Sequence, residues 1–242
     1  MNWVIEIWRG LRLLTYWFSF APFVCRRMIY APKGADLRKI FTDHFRGAIH
    51  RSGIELVESG TPPPKGKGSV AVYNESSLID VISIVATLWP HMERTSGADM
   101  WTFIPYLRRA FARAEIDLVP RGNRAGTDRL MDKMVKAVKR GDRLAWGGEG
   151  RLSGFDGVAR FKRGASLIAI RAQAPIYPVV YYGGYQIMPT GGVRLRPGTV
   201  YIHYGDAIPT KGLSEDDARE LADKVQAVSA GIYEELKSAY TT

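Results

Sequence analysis

Apolar positions along the chain switch between helical and strand spacing, and the switches outline the elements. Leu37, Ile40, Phe41, Phe45 and Ile49 lie near helical spacing, which predicts a helix over 34–52, and Ile54 to Val57 predicts a first strand. The Thr61-Pro62-Pro63-Pro64 run marks a loop. A short strand, Val70 to Tyr73, ends at Asn74, and an apolar helix from about Ser77 to Leu88 stops at Pro90. The stretch around Pro105 is less legible. Ile116 to Val119 reads as a strand that delivers Pro120 and Arg121, followed by a helix from about Gly126 to Lys139 that buries Leu130, Met131, Met134, Val135 and Val138. A strand at Leu144 to Trp146, the polar loop Gly147 to Gly157, a helix from Gly164 to Ala172 and a strand from Ile176 to Tyr182 come next. Strand pairing is expected around Val193 to Tyr204. A last helix begins at Ser214, with Asp217 completing a capping box and Leu221, Val225, Val228, Ile232 and Leu236 as its buried stripe.

Strands alternating with helices predict a layered α/β sheet flanked by helices. In such folds the loops at the carboxyl ends of the strands gather into one crevice. Three polar loops qualify: Asn74 to Asp80, Arg121 to Asn123, and Gly147 to Gly157.

The amino terminus follows a different pattern. Trp3, Trp8, Tyr16, Trp17, Phe18, Phe20 and Phe23 crowd the first 30 residues, and an uncharged run from Leu13 to Cys25 is bounded by Arg12 on one side and Arg26 and Arg27 on the other. Thirteen helical residues reach about 20 Å, short of the roughly 30 Å hydrocarbon core, so the run does not span a bilayer alone. Rings flanked by arginines suit the headgroup boundary, which predicts an interfacial helix over residues 1–32, interrupted at Pro22, ahead of one α/β domain over 33–242. A helix packed on the domain's own core is the plainer reading. A cleavable signal peptide lacks an evident small-residue cleavage site.

Composition narrows the partners. The 242 residues carry a net charge of +10, and since seven acidic and three basic residues follow from Ser214 onward, the excess before that point is +14. An anionic partner is implied, and charge alone does not separate nucleic acid from lipid headgroups. The basic residues are dispersed without a nucleic-acid-binding signature, so no nucleic acid is expected, and no P-loop is present. Cys25 is the single cysteine, and the four histidines have no zinc-site spacing, so no metal is expected.

The order of the polar loops resembles the lysophosphatidic acid (1-acylglycerol-3-phosphate) O-acyltransferase family over about residues 45–210. The family's Asn-His-x-x-x-x-Asp block reads Asn74-Glu75-Ser76-Ser77-Leu78-Ile79-Asp80, with Glu75 in the histidine's place. A second block ends in an arginine, matched by Leu118-Val119-Pro120-Arg121, with Glu115 where the family opens on glycine. The Phe-Pro-Glu-Gly-Thr-Arg-Ser block becomes Gly147-Gly148-Glu149-Gly150-Arg151-Leu152-Ser153, and Phe161-Lys162-Arg163-Gly164-Ala165 and Pro175-Ile176-Tyr177-Pro178-Val179 match two further segments.

The resemblance implies a glycerolipid acyltransferase-like fold and a reaction in which a general base deprotonates an acceptor hydroxyl that attacks an acyl thioester. By that resemblance Glu75 and Asp80 hold the catalytic positions, Arg121, Glu149, Gly150 and Arg151 hold the acceptor's phosphate, and Asn74, Ser76, Lys162 and Pro175 support them. It also implies acyl-CoA or acyl-ACP as co-substrate without a cofactor, membrane lipids as partners, and a peripheral or monotopic place on the cytoplasmic face of the membrane. A carboxylate with a reference pKa of about 4.3 is a poor base unless burial or a nearby negative charge, here Asp80, raises it. A catalytically inactive lipid-binding member of the same fold is therefore the competing expectation. Asp80 as a mere helix cap is the less natural reading, given its place inside the expected helix. No histidine offers a substitute base: His50 precedes Glu55 by five residues but sits at a helix end, and His44, His91 and His203 have no motif around them.

Overall fold

The computed structural model describes residues 2–240. The elements run α1 (Asn2–Tyr30), α2 (Leu37–Arg51), β1 (Ile54–Gly60), β2 (Ser69–Tyr73), α3 (Leu78–Thr87), β3 (Arg94–Ala98), α4 (Leu107–Arg113), β4 (Ile116–Val119) and α5 (Arg124–Lys139). They continue with β5 (Arg143–Gly147), α6 (Gly164–Ala172), β6 (Ile176–Tyr182), α7 (Gly184–Ile187), β7 (Gly198–Tyr204) and α8 (Ala218–Tyr240).

The strands form one sheet in the order β1-β7-β6-β2-β5-β3-β4. Every pairing is parallel except β6 with β7. β2, whose five residues are all buried, lies at the centre, as an unbroken Ser-Val-Ala-Val-Tyr run predicts for a strand covered on both faces. On one face α1 to α4 pack a core that includes Trp17, Phe41, Phe45, Ile82 and Phe111, and on the other α5, α6 and α8 pack Met134, Phe161, Ile168 and Val225. Because β2, β3, β4, β5 and β6 run the same way, their carboxyl ends share one edge, and the loops that follow them meet there.

Four expectations need correction. α1 is not interrupted at Pro22; it continues to Tyr30. Proline inside a helix costs about 3 kcal/mol, and the fully buried Cys25 and Met28 beyond it offset that by docking the last turns on the core. The strand expected from Val193 begins only at Gly198. The residues before it strap α1 instead: Leu195 N–H donates to the Glu6 carbonyl at 3.0 Å, and Arg194 pairs with the Glu6 carboxylate at 2.7 Å. Gly10 admits this crossing, since a Cβ there would meet the Val193 carbonyl oxygen at 1.8 Å. The stripe of α8 is also displaced, with Leu221, Val225, Ser229 and Tyr233 buried at strict four-residue spacing and Val228 exposed. Asp80, finally, is a helix cap, as the site geometry below details.

α1 carries both readings of the amino terminus, on different faces. Leu13, Trp17, Ala21, Cys25 and Met28 are buried against the domain, while Trp3, Val4, Ile5, Trp8, Leu11, Phe18, Phe23 and Tyr30 are exposed. Residues 1–32 are thus joined to the rest by a shared core, as far as they are described. Arg113 fixes the end of α1 by donating to the carbonyls of Met28, Ile29 and Ala31. No helix among the described residues is long and apolar enough to cross a membrane.

The two faces of α1 separate in a denaturation experiment. Met28→Ala should cost about 2–5 kcal/mol in urea unfolding, because it empties a fully buried site. Trp8→Ala, at a residue 58% exposed, should stay within about 0.5 kcal/mol.

Candidate active site

The turn after β2 organises the crevice. Asn74 is fully buried, and its amide bonds both ways with one residue of β6: Nδ2 donates to the Tyr181 carbonyl at 3.0 Å and Oδ1 accepts from Tyr181 N–H at 2.9 Å. The side chain thus extends the β2–β6 pairing past the end of the strand. Ser77 then caps α3, its Oγ accepting from Ile79 N–H at 3.2 Å and Asp80 N–H at 3.4 Å. Asp80 answers from the third helical position: Oδ2 accepts from Ser76 N–H (2.8 Å), Ser77 N–H (3.0 Å) and Ser76 Oγ (2.5 Å). The helix starts at Leu78, late enough for a residue read as interior to be its cap. Asp80 Oδ1 is buried without a hydrogen-bond partner, against Gly184, where a Cβ would lie 1.9 Å away.

Glu75 faces, from that turn, the loop that carries Glu149 and Ser153. Its carbonyl accepts from Ser153 N–H at 2.8 Å and its N–H donates to Glu149 Oε2 at 3.4 Å. Its half-buried carboxylate makes no hydrogen bond among the described residues and lies over Gly147, where a Cβ would come within 2.6 Å of Oε1. Glycine at 147 leaves the room that glutamate at 75 fills. Glu149 is buried, with Oε1 accepting from Ala159 N–H at 2.7 Å, so its carboxylate staples two loops rather than facing the open crevice.

Three carboxyl groups therefore share one poorly solvated place. Desolvation, then the charge of Asp80, push Glu75 up to about 7 against the pull of Arg121. Burial raises Asp80 to about 6 against its serine donors. Glu149 rises to about 8 from burial, with Glu75 and Asp80 adding to it and its two backbone donors opposing.

The mouth is cationic. Arg121 is exposed, donating to the Gly150 carbonyl at 2.8 Å, and its own N–H is held by Asp99 Oδ2 at 2.9 Å. The Lys162 ammonium approaches Gly150 from another side, within 3.1 Å of where a Cβ would stand, and Gly150 has φ +68. Arg151 is exposed, with no ion pair or side-chain hydrogen bond among the described residues. Forked and ammonium donors around an exposed loop suit a phosphate. Of the residues singled out from the sequence, the fold brings Asn74, Glu75, Ser76, Asp80, Arg121, Glu149, Gly150, Arg151 and Lys162 to this edge. Pro175 lies at the opposite edge, where it immediately precedes β6 and its carbonyl accepts from Val70 N–H at 3.0 Å. Among the described residues no group of His, Cys, Asp and Glu side chains is arranged to hold a metal ion.

Sequence reading missed three contributors. Thr190 Oγ1 donates to the Ser76 carbonyl at 2.7 Å, and Asp99 positions Arg121. Asp156 moors the Glu149 loop to the carboxyl-terminal helix: Oδ1 accepts from Gln186 Nε2 and Tyr233 OH, both at 2.6 Å, and Oδ2 pairs with Lys237 at 2.9 Å. Those donors hold its carboxyl below the usual range against the opposing effect of burial. No local pattern announces it, because Gln186 and Tyr233 lie 30 and 77 residues away.

The chain is similar to known proteins in sequence and in fold. A family model described as Acyltransferase matches residues 52–182. A Caenorhabditis elegans protein bearing the name 1-acyl-sn-glycerol-3-phosphate acyltransferase acl-2 is 32% identical over 236 residues, which cover 93% of this chain and 82% of the relative. The Ovis aries 1-acyl-sn-glycerol-3-phosphate acyltransferase alpha is 24% identical over 177 residues, and the match spans 61% of its length and 72% of this chain. The crystal structure of the 1-acyl-sn-glycerophosphate (LPA) acyltransferase PlsC from Thermotoga maritima superposes with a TM-score of 0.74 at 22% identity, covering 98% of each chain. At that identity it establishes a common fold.

Two measurements follow from the geometry. Asp156→Ala leaves the donors of Gln186 and Tyr233 unanswered, so it should cost about 1–3 kcal/mol of stability and raise tryptic cleavage after Arg151 at least several-fold; unchanged cleavage would show the mooring to be dispensable. The raised carboxyls stabilise the fold fully below their ordinary pKa values and progressively less as pH rises through about 6 to 8. Glu75→Gln should therefore melt higher than the parent at pH 8, by on the order of 1–2 kcal/mol after solvent screening, with the difference vanishing near pH 4.

Proposed function

The chain belongs to the acyltransferase family, and from that premise we propose that it transfers an acyl chain from a thioester to a hydroxyl of a lysophospholipid, 1-acylglycerol 3-phosphate being the acceptor the relatives' names suggest. The observation that carries this reading is the Glu75 carboxylate, free of hydrogen bonds at the crevice, within the field of Asp80 and Arg121 and raised to about 7. Above that pH it is ionised and takes the acceptor hydroxyl's proton. The oxygen attacks the thioester carbonyl, the tetrahedral oxyanion collapses, the carbon–sulfur bond breaks, and the proton held by Glu75 passes to the departing thiolate. Arg121, Arg151 and Lys162 hold the acceptor's phosphate. Glu149 and Gly150 shape that loop from within, and Asn74, Ser76 and Asp80 fix the turn that carries the base. No cofactor takes part; acyl-CoA and acyl-ACP are the two donor classes.

The protein sits on the cytoplasmic face of a membrane without spanning it, through the exposed rings of α1. Arg12 stacked over Trp8 at 5.3 Å and Arg26 over Tyr30 at 5.7 Å support this, since each places a guanidinium at the height of a ring.

A specific observation also favours a second reading, a lipid-binding member without catalysis: Asp80 is committed to its cap and makes no hydrogen bond to residue 75. One experiment separates the two. Purified protein incubated with lysophosphatidate and either donor should form phosphatidate at a rate that climbs with pH through about 7, and Glu75→Gln should lose about a hundredfold to ten-thousandfold. An inactive parent whose Glu75→His variant turns over would establish the second reading.

A further inference from the structure

The segment between β3 and α4 turns its large apolar side chains to solvent. Met100 is 55% exposed, Phe103 64% and Tyr106 49%, while their neighbours Ile104 and Leu107 are buried. The segment reaches the core and still presents these side chains outward. Its backbone is strained in the same place, Tyr106 adopting φ +69, a conformation that costs a bulky residue on the order of 1–3 kcal/mol. Arg108 and Arg109 follow at once, both exposed and free of ion pairs among the described residues. Asp99, the only carboxylate from 99 to 113, is engaged by Arg121 N–H.

The patch also has direction. At one end Met100 lies under Arg121, with Sδ 3.7 Å from a guanidinium nitrogen at the crevice mouth. At the other, Phe103 meets Phe18 of α1 at 6.1 Å between centroids, and Trp101 joins Trp17 and Phe103 at 5.8 and 6.2 Å. The exposed face of α1 and the crevice are thus connected by one continuous strip.

We propose that residues 100–109 form a second membrane-contacting element, seated in the headgroup region of an anionic bilayer, which holds the crevice mouth at the lipid surface. This rests on the membrane reading of α1 and adds to it a surface outside that helix. Charge decides for the bilayer over a second copy of the chain, because a twofold contact would set one net-positive patch, carrying Arg108 and Arg109, against another. Apolar side chains inserted beside arginines suit phosphate-bearing headgroups.

The test is partition onto vesicles of phosphatidylcholine with phosphatidylglycerol, read by co-flotation and independent of turnover. Phe103→Glu, and separately Arg108→Glu with Arg109→Glu, should each weaken partition about tenfold. A dye at Phe103→Cys should shift to the blue on these vesicles, Cys25 being fully buried and hence poorly labelled. A protein that binds vesicles while the dye stays in water and Phe103→Glu partitions normally would overturn this proposal and leave α1 as the anchor. Absence of any vesicle binding would overturn both. A change of oligomeric state on Phe103→Glu, with partition unaltered, would assign the patch to protein contact and overturn it too.

Discussion

The buried amide of Asn74 is the constraint on which the rest of the site hangs. An unpaired amide at zero exposure would cost several kcal/mol, so the side chain is obliged to find both a donor and an acceptor, and Tyr181 of β6 supplies them at 2.9 and 3.0 Å. That contact ends β2 at a fixed point beside two neighbouring strands. Everything at the mouth is then referenced to the turn's backbone: Gly148 N–H donates to the Tyr73 carbonyl, Ser153 N–H to that of Glu75, and Thr190 Oγ1 to that of Ser76. One turn sets the position of two loops that come from β5 and β6, far away in the chain.

The same economy explains the electrostatics. Asp80 must be buried to cap α3, and Glu149 must be buried to staple residues 75 and 159, so structural needs alone place two carboxyls in low dielectric. A third acid between them meets desolvation and like charge together. Arg121 moderates this from the solvent side, while its other bonds keep it oriented toward the Gly150 loop. The three raised carboxyls therefore contribute less stability at neutral pH than in acid.

Much of this was legible in the sequence. Apolar runs bounded by glycine and proline located β4, α6 and β6 with their observed ends, and the polar loops after β2, β4 and β5 did converge. What stayed hidden is what depends on distant partners. β3 and α4 lie in a stretch whose apolar residues serve two masters, the core through Ile104 and Leu107 and the surface through Phe103 and Tyr106, so no single period emerges. The residues from Val193 have the alternation of a strand, but their hydrogen bonds go to α1. Asp156 looks like any loop aspartate until α8 is folded against it. Asp80 turns on a boundary: a helix that starts one residue later than its apolar spacing predicts makes an interior carboxylate a cap.

The glutamate at 75 is best understood through what the turn lacks. Its one orphaned atom is an acceptor, Asp80 Oδ1, and an ionised Glu75 brings only more acceptors and more negative charge. Desolvation first, and then the charge of Asp80, favour the proton on Glu75, and together they lift the group to about 7 against the pull of Arg121. A carboxyl tuned there is ionised in a large fraction of molecules at neutral pH yet binds a proton readily, which is what a general base must do. Gly147 fits the same logic, since a Cβ there would come within 2.6 Å of Glu75 Oε1 and push the carboxylate away. The features that make glutamate an unfavourable occupant of this position are therefore the ones that would let it work.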